Sequence, residues 1–104
     1  MIYELRTYQM KMGCVPQYLE IIETRLLPIL AEHGFKPAGF WTTEIGTLNE
    51  VCHLWPFKDV NERMEKWGKW AADPRRPEIV KELTQIILSQ SNKILKPTAF
   101  SELK

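Results

Sequence analysis

Three side chains in this sequence have the chemistry to move a proton or hold an anion. Arg6 carries a guanidinium able to grip a carboxylate or enolate oxygen. The two-residue period of a strand puts it on one face with Glu4 and Tyr8. His53 is the first candidate for proton transfer, because an imidazole titrates near neutrality, and Tyr8 is the second. A structural account competes at each position. Arg6 would pair with Glu4 or Glu44, and a lone strand histidine is commonly a satisfied core or interface residue. Trp41, Trp55, Arg63 and Trp67 are the candidate walls of a ligand pocket. His53 and Trp55 stand two apart on a strand, and Arg63 and Trp67 four apart on a helix, so each pair shares a face. The competing account is ordinary core packing with a snorkelling arginine. Trp70 is expected further round the helix surface, and Arg75 and Arg76 in a solvated turn or at a pocket mouth.

Other chemistries find little support. His33 and His53 are the only histidines, no two-histidine-plus-carboxylate spacing occurs, and no metal site is expected. Haem ligation by His53 would be its rarer use, and no cofactor is expected. Cys14 and Cys52 lack the paired spacing of zinc or redox motifs and read as small free thiols. Phosphate loops and nucleophile elbows are missing.

The elements that must position these residues follow from periodicity. Ile2–Met10 alternates as a strand, and Gly13 then breaks it. From Val15, apolar residues at Tyr18, Leu19, Ile22, Leu26, Ile29 and Leu30 mark an amphipathic helix. Pro28 should kink that helix and Gly34 should cap it. Residues 37–45 and 50–57 read as a hairpin, with Pro56 near a strand end. Asp59 and Glu62 form a capping box for a second helix, with Val60, Met64, Trp67 and Ala71 on one face. The run from Asp73 to Pro77 interrupts it before a further apolar-periodic segment, and Ser89–Lys96 is the last strand. The order β-α-β-β-α-β builds an α+β, ferredoxin-like plait with a four-stranded antiparallel sheet and helices on one face.

A chain of 104 residues fits a single domain, 1–104. Its 14 Lys+Arg balance 13 Asp+Glu, so no one-sided field is available to gather nucleic acid or an anionic membrane. No apolar run approaches a membrane span and no leader is recognisable, so the cytoplasm is the expected compartment. The strands are apolar on both faces. Tyr3 and Leu5 oppose Ile2, Tyr8 and Met10; Trp41 and Ile45 oppose Phe40; Val51, Trp55 and Phe57 oppose Cys52 and Leu54. Helices can cover only one face, and a second copy packed sheet to sheet is the economical cover for the other.

Several ordered blocks then carry a resemblance over essentially the whole chain. IYELRTY at Ile2–Tyr8, WTTEIG at Trp41–Gly46, HLWPF at His53–Phe57, AADPRRPEI at Ala71–Ile79 and ILKPTAFS at Ile94–Ser101 resemble the NIPSNAP family. That resemblance implies a dimeric α/β barrel, in which two such sheets pair. Relatives by fold include cofactor-free monooxygenases, haem-binding enzymes and lactone isomerases, but shared fold does not transfer chemistry. The expected function is binding of a small aromatic or enolisable molecule between sheet and helices, with cofactor-independent oxygenation or isomerisation as the chemistry. In that case His53 or Tyr8 would move the proton and Arg6 would steady the anion. The alternative is a non-catalytic homo-oligomeric interaction domain.

Overall fold

The structure is a computed structural model and describes residues 1–104. Strand β1 (Ile2–Met10) leads through a turn into α1 (Val15–Ile21). The helix widens into a π-helical turn over Ile22–Leu26 and resumes as α2 (Leu27–Glu32). Pro28 explains the widening. It has no N–H to continue the ladder and its ring crowds the preceding turn, so Leu27 bonds back five residues to the Ile22 carbonyl. Gly34, at φ 86°, closes the helix with the Phe35 N–H on the Leu30 carbonyl.

Strand β2 covers only Gly39–Thr42, shorter than the predicted 37–45. The residues after it turn instead, through Gly46 at φ 129° and Asn49 at φ 59°, conformations that a strand does not contain. Strand β3 (Glu50–Phe57) follows, then α3 (Val60–Ala72), α4 (Arg76–Thr84) and β4 (Ile87–Leu95). The Asp59 carboxylate accepts from the Glu62 N–H, as the capping signal predicts. The sheet is antiparallel with order β2-β3-β1-β4. In β4 one extra residue, Leu88, bulges out where the β1 register shifts between Gln9 and Met10.

The buried face of α3 differs from the predicted one. Val60 and Met64 are exposed (51% and 63%), whereas Trp70, expected at the surface, is buried beside half-buried Arg63 and Trp67. The helix is rotated so that the two large indoles enter the core, which offers more apolar area than Val60 and Met64 would.

On the helix-covered face of the sheet stand Glu4, Arg6, Tyr8 and Met10 from β1 and Val51, His53, Trp55 and Phe57 from β3. The opposite face carries Leu5, Cys52, Leu54 and Trp41, with no helix over it. Trp41 is 54% exposed there and its ring lies across Gly39. A Cβ on Gly39 would fall 2.3 Å from that ring, so only glycine admits this placement.

Candidate functional site

The register of β1 against β3 decides the site. Arg6 lies directly opposite His53, and Phe40 of β2 lies opposite His53 on the other side, so all three project toward the helices. Above them α1, the π turn, α3 and α4 enclose a cavity of about 290 Å³. Its polar wall is made by Arg6, Tyr8, Tyr18, His53, Arg76, Thr84 and Gln90. Its apolar wall comes from Ile22, Leu26, Leu30, Trp55, Trp67, Trp70, Val80, Leu83 and Ile87.

One side of the cavity floor is an ion-pair cluster built on Glu4, a carboxylate with no exposed surface. It accepts from Arg6 Nε at 2.9 Å, from Arg63 Nε and Nη2 at 2.9 and 3.1 Å, and from Trp67 Nε1 at 2.7 Å. Four bonds use the acceptor sites of an ionised carboxylate. Burial pushes the Glu4 pKa up, but the hydrogen bonds from Arg63 and the charge of Arg6 outweigh it, and the group is held below its ordinary value. Arg6 is fixed on three sides. Besides Glu4, its Nη1 donates to the Tyr8 hydroxyl at 3.2 Å, and its guanidinium lies 3.9 Å from the Trp67 ring centre.

The other side is an aromatic cage around His53, which is 3% exposed. The Tyr18 hydroxyl is 3.0 Å from His53 Nε2. Phe40, Tyr8 and Tyr18 surround the imidazole at ring-centre distances of 4.1, 5.1 and 5.8 Å. Burial, assisted by the Arg6 charge, lowers the His53 pKa from 6.5 to about 3. Burial raises that of Tyr18, with the neighbouring Tyr8 adding to the shift. Both groups are therefore neutral at physiological pH. The imidazole is a hydrogen-bonding group held in place by Tyr18, a weaker base than an exposed histidine.

Of the residues singled out from sequence, Arg6, Tyr8, His53, Trp55 and Trp67 line this one cavity. Arg63 stands behind it, holding Glu4, and contributes no lining. Trp41 is corrected outright: it sits on the opposite face of the sheet and cannot touch a ligand in the cavity. Glu44 is not the partner of Arg6; Glu4 is. Sequence reasoning missed Tyr18 and Trp70 as lining residues; of the two arginines it set in a solvated turn or at a pocket mouth, Arg76 lines the cavity and Arg75 does not. Tyr18 was legible, since a tyrosine in the middle of an apolar helical stripe brings a hydroxyl that needs a partner. Nothing in the local sequence tells Arg76 from Arg75. Arg75 does what a turn arginine commonly does, pairing with Asp73 at 2.8 Å and Glu32 at 2.9 Å.

A β2-β3-β1-β4 sheet with helices and a pocket on one face is the ferredoxin-like α+β class, as the element order predicted. The chain belongs to the NIPSNAP family, which it matches over residues 3–102, so the resemblance carried by its strand blocks holds. The human protein NipSnap homolog 3A is 36% identical over 104 residues, 99% of this chain and 42% of that protein. The chain thus spans less than half the length of the curated relatives it matches. A NIPSNAP family protein of unknown function from Agrobacterium tumefaciens shares 36% identity and superposes with a TM-score of 0.94, over 100% of this chain and 94% of that one. An antibiotic biosynthesis monooxygenase superposes at 0.64 with 8% identity, over 94% of this chain and 99% of that one. At that identity the likeness is one of fold. No helix of the chain is long and apolar enough to cross a membrane.

Proposed function

We propose that this chain binds a small organic molecule in the cavity between sheet and helices and moves a proton on it through neutral groups, without a cofactor. The observation that supports this most is the cavity itself. A cleft of about 290 Å³ lies between sheet and helices beside His53, Tyr8 and Tyr18, lined mostly by apolar side chains. Aromatic and aliphatic walls with a few convergent polar groups are the usual make-up of a small-molecule site. In the tautomer with its proton on Nδ1, His53 Nε2 accepts from Tyr18. Tyr8 accepts from Arg6 and keeps its own proton free for a ligand oxygen. Such a set suits a proton relay at an enolisable carbon: the Tyr18 oxygen takes the α-proton as it passes its own proton to His53 Nε2, Tyr8 donates its hydrogen bond to the developing enolate oxygen, and the reverse relay returns a proton to carbon.

The neutral bicyclic ketone 2-tetralone tests both halves of this reading. It is expected to quench the fluorescence of Trp55, Trp67 and Trp70 and to exchange its α-protons with deuterated solvent faster when the protein is present. Val80→Trp, which fills the cavity, should abolish both effects, and His53→Gln should keep the quenching and lose the exchange. A wild-type protein quenched neither by this ketone nor by 2-naphthoate, an acid of the same two-ring size, overturns the pocket, and quenching by the acid alone overturns the ketone chemistry. Quenching without exchange overturns the chemistry and leaves the pocket standing.

The assembly belongs to the same proposal. The open face of the sheet presents Leu5, Cys52, Leu54 and Trp41 with no element of this chain above them. Covering it with a second copy, sheet to sheet, would bury the exposed Trp41 and the half-buried Leu5, Cys52 and Leu54. Leu54 lies between Leu5 and Gly39 near the middle of that face. Leu54→Lys is expected to convert a dimer into a folded monomer in sedimentation equilibrium. A monomeric wild type at the same concentration would sink the pairing, and would leave the cavity on the other face untouched.

A further inference from the structure

Arg76 is the one arginine for which this molecule provides no counter-charge. Every other arginine has a carboxylate: Arg6 and Arg63 share Glu4, Arg25 pairs with Glu82, and Arg75 holds Asp73 and Glu32. Arg76, half-buried in the first turn of α4, forms no ion pair and lines the cavity. No Asp or Glu lines that cavity with it. Arg6, the other cavity arginine, shares its single carboxylate with Arg63, so that cluster also carries one net positive charge.

The hydrogen-bond inventory points the same way. Two buried side-chain polar atoms lack a partner, Arg76 Nε and Trp55 Nε1. Both are donors, and both belong to residues that line this cavity. Buried donors are normally satisfied, and an unmade bond costs the full desolvation of the group. A guanidinium without a partner costs more than a neutral N–H. The missing partner is therefore an acceptor, and the charge balance of the lining asks that it be negative.

We infer that the ligand of this cavity is a compact organic monoanion, an aromatic or alicyclic carboxylate, whose acid group is held by Arg76 while its body packs on the apolar wall. This rests on the pocket reading above and names its ligand class. The geometry reassigns the anion-holding role. Strand position alone makes Arg6 the natural grip, but Glu4, Tyr8 and the Trp67 ring already occupy it. Arg76 keeps its donors free, and a guanidinium presents two parallel N–H groups to a carboxylate. The volume of about 290 Å³ lies at the low end for ligand sites and favours a one- or two-ring acid over a long-chain one.

The test uses matched probes on one scaffold, 2-naphthoate and 2-naphthamide, titrated against the full chain by quenching of its tryptophans. Wild type is expected to bind the carboxylate roughly 10- to 100-fold more tightly than the amide, the range of a charge-assisted bond to a buried group. Arg76→Gln should remove that preference, weakening the carboxylate far more than the amide. Arg76→Lys should restore part of it, with circular dichroism and thermal melting showing that both variants fold. Equal affinity for acid and amide in wild type overturns the anionic ligand while the pocket stands. A preference that survives in Arg76→Gln overturns Arg76 as the holder. Failure of both probes and of 2-tetralone to bind overturns the pocket itself, and this inference with it.

Discussion

Glu4→Gln is expected to lower the stability of the fold by about 3–5 kcal/mol, the usual cost of removing one partner from a buried ion pair. Glutamine matches glutamate in shape, so the change deletes charge with little change in packing. What it leaves behind is the cost. Arg6 and Arg63 would face a neutral carbonyl and an NH2 group, three donor-bearing groups would compete for one acceptor, and the Trp67 N–H would lose its bond. The effect should reach the cavity, because Glu4 fixes Arg6, and Arg6 in turn holds the Tyr8 hydroxyl and stacks on Trp67. Urea unfolding at neutral pH, at fixed protomer concentration, measures it. A loss below about 1 kcal/mol would mean that the cluster behaves as a screened surface pair. Arg63→Ala should cost less than Glu4→Gln, since the Arg63 side chain is 26% exposed and Arg6 remains to neutralise the carboxylate.

Acid is expected to destabilise the protein well before its carboxylates titrate. The His53 pKa falls from 6.5 to about 3 on folding, because burial and the Arg6 charge disfavour the imidazolium. The folded state therefore holds fewer protons than the unfolded chain between those two values. Stability is fully present above the unfolded pKa and declines as pH drops through the window toward 3. At about 1.4 kcal/mol per unit, the decline is roughly 2 kcal/mol between about pH 7.5 and pH 5, and roughly 4–5 kcal/mol when complete. Glu4 acts with the same sign in a lower window. Its folded pKa lies below 4.5, so its contribution is present above that value and fades as pH falls through the folded pKa. Unfolding curves taken above about pH 5 isolate the histidine contribution. His53→Gln should flatten the slope there, with His33→Gln, beside Asp73, as the control. A wild-type slope that survives in His53→Gln would show that the buried imidazole is not its source.

Much of the fold was readable from local pattern. Ile2–Met10 alternates because a strand does, Pro28 disturbs its helix because it has no N–H, and Asp59 begins α3 because its carboxylate caps an orphan N–H. The two apolar faces of β1 and β3 were visible in the same way, since side-chain direction along a strand depends only on parity. Five of the seven proposed site residues fell into one cavity for that reason: Arg6, Tyr8, His53 and Trp55 have the parity of the helix-covered face, and Trp67 rides the helix above it.

Parity does not say which face meets the helices, how strands are slid against each other, or how far a helix is rolled about its axis. The register that sets Phe40 and Arg6 against His53 settled the first two, and it sent Trp41 to the open face. The roll of α3 buried Trp70, exposed Val60 and Met64, and brought Arg63 onto Glu4 across 59 residues of sequence. These choices are made by long-range packing and charge pairing, which no local window of sequence contains. For the same reason Arg75 and Arg76, adjacent in a proline-flanked turn, part company in the tertiary structure. One is neutralised by Asp73 and Glu32, while the other lines the cavity with no partner of its own.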